Sequence, residues 1–175
     1  MADKRVKTVS LSPAPQEEPK VETHHPTLRH ARLEDIPALL QLGEKLFKDS
    51  PMEPMEFNPE KVRAQLEKAI ISDQKDFLVL VSHVEDKPVG ILAAYAFTPI
   101  FTDHRIACEV FWYLEPEYRK GTRGLDMMRA YEYWAKLVGC KVAQYGWLVS
   151  SPKNMPVLYE RTGAELAEQV YYKVL

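Results

Sequence analysis

Apolar residues between Leu33 and Asp49 recur at helical spacing, with Ile36, Leu39, Leu40, Gly43, Leu46 and Phe47 on one face. Pro37 is tolerated only in a first turn, so the helix starts near Leu33 to Asp35. After a loop, "SPMEPMEFNP", Asn58 is placed to cap a second helix over 59–71, with Val62, Leu66, Ala69 and Ile70 on its inner face. The period then changes. Residues 76–84 and 87–99 are β-rich runs joined by a tight turn around Glu85 and Asp86. Residues 105–114 are nearly apolar throughout, as in a strand covered on both faces. Leu125, Met128, Tyr131, Ala135 and Val138 form the stripe of a long helix that Gly139 ends. A strand over 142–150, a short helix over 154–163 and an extended closing segment over 165–175 follow. With a short strand at 27–31, the order is β-α-α-β-β-β-α-β-α-β, an α/β (α+β mixed-sheet) fold.

Composition narrows the class. A chain of 175 residues, 46% hydrophobic and 27% charged, suits one soluble domain, here residues 26–175. Residues 1–25 hold three prolines, many charges and no aromatic residue, which predicts a flexible tail. His24 and His25 lie there without a partner at metal-ligand spacing, so no metal site is expected. A net charge of -2 argues against a dedicated nucleic-acid binder. The longest apolar run is too short to span a bilayer, and no signal-peptide core opens the chain. Cys108 and Cys140 form no CxxC pair and no disulfide framework, which fits a cytoplasmic protein.

The candidate chemistry centres on "LEPEYRKGTRG", Leu114 to Gly124. There a strand gives way to a helix through a loop carrying Arg119, Lys120 and Arg123 among Gly121 and Gly124. Amides at a helix start have no intrahelical partners, the helix dipole adds positive potential, and glycines let a phosphate approach the backbone. Two readings stand on the loop alone: a pyrophosphate site, or a solvated turn that merely needs its glycines. A P-loop is excluded because GxxxxGK[ST] is absent, and no GxGxxG is present.

These residues resemble the GNAT superfamily of N-acetyltransferases, which carries Arg/Gln-x-x-Gly-x-Gly/Ala between its fourth strand and third helix. Leu114, Pro116, Glu117, Arg119 and Gly124 match that pattern; Thr122 stands where the family has glycine, and Gly121 comes one residue early. A β-branched residue at Thr122 excludes positive φ there at low cost. "LRHARLEDIPALLQL", "EDKPVGILAAY" and "VLYERTGAELAEQVYYKVL" resemble further landmarks of the family in the right order, from about residue 27 to the end.

The resemblance implies acetyl-CoA as cosubstrate. Its pantetheine arm would lie on the main chain of Trp112, Tyr113 and Leu114, and its pyrophosphate on the loop from Arg119 through Lys120, Gly121, Thr122 and Arg123 to Gly124. A primary amine of a small molecule or protein would attack the thioester directly. Tyr159 matches the family's tyrosine that donates to the CoA sulfur. Glu109 is the candidate base, an ionisable group inside an apolar strand. Strict alternation puts Glu109 with Phe111 and Tyr113, away from Trp112 and Leu114, so it serves only if a bulge flips the register. His83, His104 or a water chain are the other candidates for that role. Tyr145 and Trp147 line an acceptor pocket or belong to the aromatic core. Nothing near Cys108 or Cys140 makes a nucleophile. The alternative function is a binding protein that keeps this fold without turnover and acts through a protein partner. A homodimer is possible from the family.

Overall fold

The computed structural model describes residues 27–51 and 54–175; the predicted tail, residues 1–25, lies outside the described residues. The elements are β1 (Leu28–His30), α1 (Ile36–Asp49, entered through a 3-10 turn, Leu33–Asp35), α2 (Pro59–Ile71), β2 (Phe77–Val84), β3 (Lys87–Phe97), β4 (Arg105–Leu114), α3 (Arg123–Leu137), β5 (Cys140–Gln144) and α4 (Met155–Arg161). The five strands form one sheet in chain order. Its first three junctions are antiparallel, and β4 with β5 is parallel. The fold is the expected mixed α/β class.

Each sheet face has its own core. Leu78, Leu80, Leu92, Ala94, Ala107 and Leu114 pack beneath Met127, Tyr131, Trp134 and Ala135 of α3. On the other face Val79, Val81, Ile91 and Tyr113 pack against Ile36, Leu39 and Leu42 of α1 and Leu66 of α2. The α1 stripe therefore rotates slightly from the predicted one, with Leu42 buried and Leu40 and Leu46 at its margin. Asn58 caps α2 as expected, its side chain accepting from the Lys61 amide at 2.9 Å. Glu85 and Asp86 both take positive φ, 47° and 62°, which matches a two-residue hairpin turn with the twist of its strands.

Two boundaries differ from the sequence reading. The strand expected over 142–150 starts at Cys140 and ends at Gln144, because the chain turns off the sheet at Gly146 to make bonds described below. The closing segment, Glu165–Leu175, forms no strand: among the described residues it has no ladder partner, and β5 stays the sheet edge.

The first turn is locked by charge. Asp35 is only 5% exposed, and both its oxygens accept from the Arg29 guanidinium, at 2.6 and 2.8 Å. The Arg32 amide adds a third bond at 2.7 Å. Burial raises the Asp35 pKa, but these donors outweigh it and hold the carboxyl below its ordinary value. Its stabilisation is present above its unfolded-state pKa of 3.8 and is lost as pH falls through the lower folded value. Asp35→Ala leaves the largely buried Arg29 guanidinium with only the more distant, exposed Asp86 at 4.0 Å as counter-charge and is expected to cost about 3 kcal/mol. Urea unfolding at neutral pH measures this, and the gap to wild type should narrow in acid; an unchanged midpoint would remove the pair from the account.

Candidate active site

The site grows from one irregularity in β4. Ala93 of β3 faces Phe111, but the next residue, Ala94, faces Glu109. Val110 is thus an extra residue, a bulge, and is 54% exposed. The bulge reverses side-chain parity. Glu109 and Ala107 share the α3 face with Trp112 and Leu114, while Phe111 and Tyr113 face α1. The register flip on which a role for Glu109 depends is therefore present.

The second feature is the parting of two parallel strands. β5 pairs with β4 only from Arg105 to Cys108, so among the described residues no strand pairs with β4 on that side from Glu109 to Leu114. Glu109 sits at the apex of this opening, and its Oε2 accepts from the Gly146 amide at 2.9 Å. The Gly146 carbonyl accepts from the Tyr159 hydroxyl at 3.0 Å. One residue thus holds a carboxylate by its N–H and a phenol by its C=O. A Cβ at Gly146 would come within 3.4 Å of Glu109 Oε2, so glycine leaves the carboxylate uncrowded.

An aromatic stack supports the phenol. Tyr159 lies on Tyr145 with centroids 5.1 Å apart, and Tyr145 meets Tyr131 edge-on at 5.4 Å. The Tyr145 hydroxyl donates to Glu132 at 2.6 Å, and that of Tyr131 donates to the Gln144 carbonyl at 3.0 Å. Tyr145 thus belongs to the core, whereas Trp147 is half-exposed beyond the end of β5. Burial pushes Glu109 up from its ordinary 4.5 to about 7, against the opposing pull of the Gly146 amide. Burial and the nearby Glu109 charge raise the Tyr159 pKa well above the ordinary phenol range, so it remains an O–H donor through neutral pH. The other base candidates lie apart from this pair. The His83 carbonyl binds Arg123, and burial lowers the pKa of its ring. His104 is exposed in the β3–β4 loop.

At the far end of the opening lies the basic loop. Among the described residues no backbone amide from Lys120 to Leu125 donates a hydrogen bond. Six consecutive N–H groups at the start of α3 therefore stand free, which suits an anionic group such as a pyrophosphate. Positive φ falls on Gly121 at 86°, where a Cβ would meet nothing within 4 Å. Thr122 takes φ -99° and so keeps a conformation that a β-branched residue accepts. The arginine side chains have other partners. Arg119 Nε donates to the Leu114 carbonyl at 2.7 Å with its guanidinium over Tyr113. Arg123 donates to Ser82 Oγ and the His83 carbonyl and lies over Tyr118. Both brace the loop on the sheet, Arg123 partly buried and Arg119 exposed, and Lys120 is exposed beside them. The Leu114 carbonyl, one of the expected contacts for an added chain, already accepts from Arg119. Among the described residues no cluster of His, Cys, Asp and Glu forms a metal site, and no helix is long and apolar enough to cross a membrane.

Gly146 and the tyrosine stack were not expected from the sequence. Their only signal there is a glycine interrupting an apolar strand pattern, a common mark of close backbone approach.

No protein-family model matches the sequence, and no curated protein matches it. Solved structures do. Glucosamine-6-phosphate N-acetyltransferase from Arabidopsis thaliana aligns with TM-score 0.66 at 14% identity, over 84% of this chain and 96% of that one. AAC(6')-Iy in complex with the bisubstrate analog CoA-S-monomethyl-acetylneamine aligns with TM-score 0.63 at 16% identity, over 85% and 96%. A transcriptional regulator from Bacillus halodurans aligns with TM-score 0.69 at 16% identity, over 86% and 100%. The fold is that of the GNAT acetyltransferases.

The raised Glu109 pKa carries a stability signature. The unfolded chain releases this proton near 4.5 and the folded chain near 7, so stability present below 4.5 is lost as pH rises through 7. Glu109→Gln is expected to be more stable than wild type at pH 8 by about 1–3 kcal/mol, a tenfold change in proton affinity being about 1.4 kcal/mol. The two should converge at about pH 4. Chemical denaturation at both pH values checks this, and equal stability at pH 8 would contradict the burial argument.

Proposed function

We propose that this protein is an acetyl-CoA-dependent N-acetyltransferase acting on a primary amine. The observation that carries the reading is the Glu109–Gly146–Tyr159 arrangement, a carboxylate and a phenol held on one residue where β4 and β5 part. The free amides of Lys120–Leu125 at the other end of the same opening support the cosubstrate.

Acetyl-CoA, when bound, supplies an acetyl group activated as a thioester. The amides from Lys120 to Leu125, with Lys120 beside them, would hold its pyrophosphate, and the unpaired stretch of β4 would hold its pantetheine arm as an added strand does. Glu109 then takes the proton that the attacking amine must lose. With a pKa of about 7 it is both ionised enough to accept a proton at neutral pH and basic enough to hold it. Tyr159, kept protonated by burial, donates its hydroxyl proton to the departing sulfur. Gly146 fixes where both groups point. The acceptor is a primary amine of a small molecule or of a protein.

Calorimetry with acetyl-CoA, using ATP and NAD as controls, tests the cosubstrate; selective micromolar binding is expected. Gly124→Glu should abolish that binding and still fold, because a Cβ there meets only Trp112 Cζ2 at 3.6 Å. Unchanged affinity in this variant would remove the loop from the site. In a screen of amines for CoA release, Glu109→Gln should lower turnover on the order of 10²-fold and abolish the acid limb of the pH profile near 7. Tyr159→Phe should lower turnover more than it lowers acetyl-CoA affinity. Binding with no release from any amine would favour a non-catalytic binding protein.

A further inference from the structure

Helices α1 and α2 stop short of one end of the sheet. They cover Val79, Val81, Ile91 and Tyr113, but the next large residues of β3 on that face, Tyr95 and Phe97, are each 37% exposed. Their rings stack on each other, with centroids 5.3 Å apart. The register sets Phe97 beside Ile106 and Val142, and Tyr95 beside Cys108 and Gln144. These two cross-strand rows form a largely apolar surface. Its polar groups are turned on one another: Cys108 Sγ donates to Gln144 Oε1 at 2.7 Å, and the Tyr95 hydroxyl donates to the same sulfur.

The surface adjoins the proposed reaction centre. Cys108 is the last residue of β4 that pairs with β5, and Glu109 follows it at the apex of the opening. On the α3 face the apex is closed by the rings of Tyr131, Tyr145 and Tyr159, and the free amides hold the far end. The remaining approach to Glu109 crosses the two rows and passes the exposed bulge residue, Val110. Distance limits what fits there. At about 3.3 Å per residue, the Tyr95 row lies about 3 Å from Glu109 along β4 and the Phe97 row about 10 Å. Charge limits it too. Among the described residues the Cys108 thiol is the one group whose charge acts on the Tyr95 hydroxyl. Phe77, in register with Tyr95, has Lys68 Nζ 5.8 Å from its ring centroid, which opposes a second ammonium group on that flank. Besides Glu109, Glu168 is the one carboxylate that acts on the Cys108 thiol.

We infer that this surface binds the acceptor, and that the acceptor is a monoamine carrying an aromatic ring two or three atoms from its nitrogen. The inference rests on the proposed acetyl transfer and narrows it. The nitrogen sits at Glu109 and the ring lies against Tyr95 and Phe97. The nitrogen bonds the acetyl carbon as the C–S bond breaks, Glu109 takes the nitrogen's proton and Tyr159 protonates the sulfur. The proton on Glu109 then replaces the one Tyr159 gave, leaving an N-acetylamine and CoA. A polyamine or an aminoglycoside would set most of its ammonium groups on apolar side chains, where lost hydration is not replaced.

Calorimetry on the full chain measures CoA first. With CoA present it then measures 2-phenylethylamine, spermidine, tobramycin and a peptide with one lysine. The expected result is that 2-phenylethylamine binds at least tenfold tighter than the other three. Tyr95→Ala and Phe97→Ala should each weaken it on the order of tenfold and leave CoA affinity unchanged. Circular dichroism shows whether each variant folds, and one folded variant suffices. With acetyl-CoA in place of CoA, kcat/KM for CoA release should rank the amines in the same order. Equal or tighter binding of any of the other three overturns the inference. So does 2-phenylethylamine binding that a folded variant does not weaken, and so does no amine binding at all. If CoA itself does not bind, the acetyl-transfer reading fails separately, and the amines are titrated without it. Selective 2-phenylethylamine binding that Tyr95→Ala weakens then upholds the surface as an arylalkylamine site, and its absence overturns that as well.

Discussion

The extra residue at Val110 is the constraint on which the site depends. Without it, Glu109 would lie with Phe111 and Tyr113 on the α1 face. With it, Glu109 turns to the α3 face just where β5 ceases to pair with β4. A carboxylate placed there loses much of its water and keeps one amide donor, that of Gly146. Its raised pKa follows from burial with so little compensation. The same residue that gives this amide also orients Tyr159. Backbone geometry therefore sets the proton affinity of Glu109.

The rest of the molecule holds this geometry still. The two cores clamp the sheet, and Tyr131 reaches from the buried face of α3 to the last carbonyl of β5. Arg119 and Arg123 act as braces: each ties the loop before α3 to main chain of the sheet, leaving the loop's amides unspent. With both arginines bonded to the sheet, what the loop presents is its row of free N–H groups beside Lys120, an arrangement closer to a helix N-terminus than to a patch of charge.

Much of this was legible in the sequence. Alternating and helical periods located α1, α2, β2, β3, β4 and α3, because each buries a well-defined face against one of the cores. Asn58 and Gly139 marked their boundaries through specific backbone requirements. The basic loop was also visible, and so was the conflict over Glu109. The bulge was not, since an apolar run such as "ACEVFWYL" offers no contrast by which a slipped register shows. Gly146 was hidden for a related reason: its role comes from two neighbours distant in the chain, Glu109 and Tyr159. The bonds by which Arg119 and Arg123 brace the loop were also hidden, because a sequence does not say which way an arginine points. The closing strand was expected from its extended reading and from the family resemblance, neither of which names the edge it would pair with.

The central claim is that the opening between β4 and β5 receives acetyl-CoA. Amide resonances of the labelled protein followed during titration with acetyl-CoA test it most directly. The account predicts the largest shifts at Lys120–Leu125 and at Trp112 and Tyr113, with Gly146 responding as the Glu109–Tyr159 pair senses the thioester. Shifts confined to another surface, or none at saturating acetyl-CoA, would contradict it.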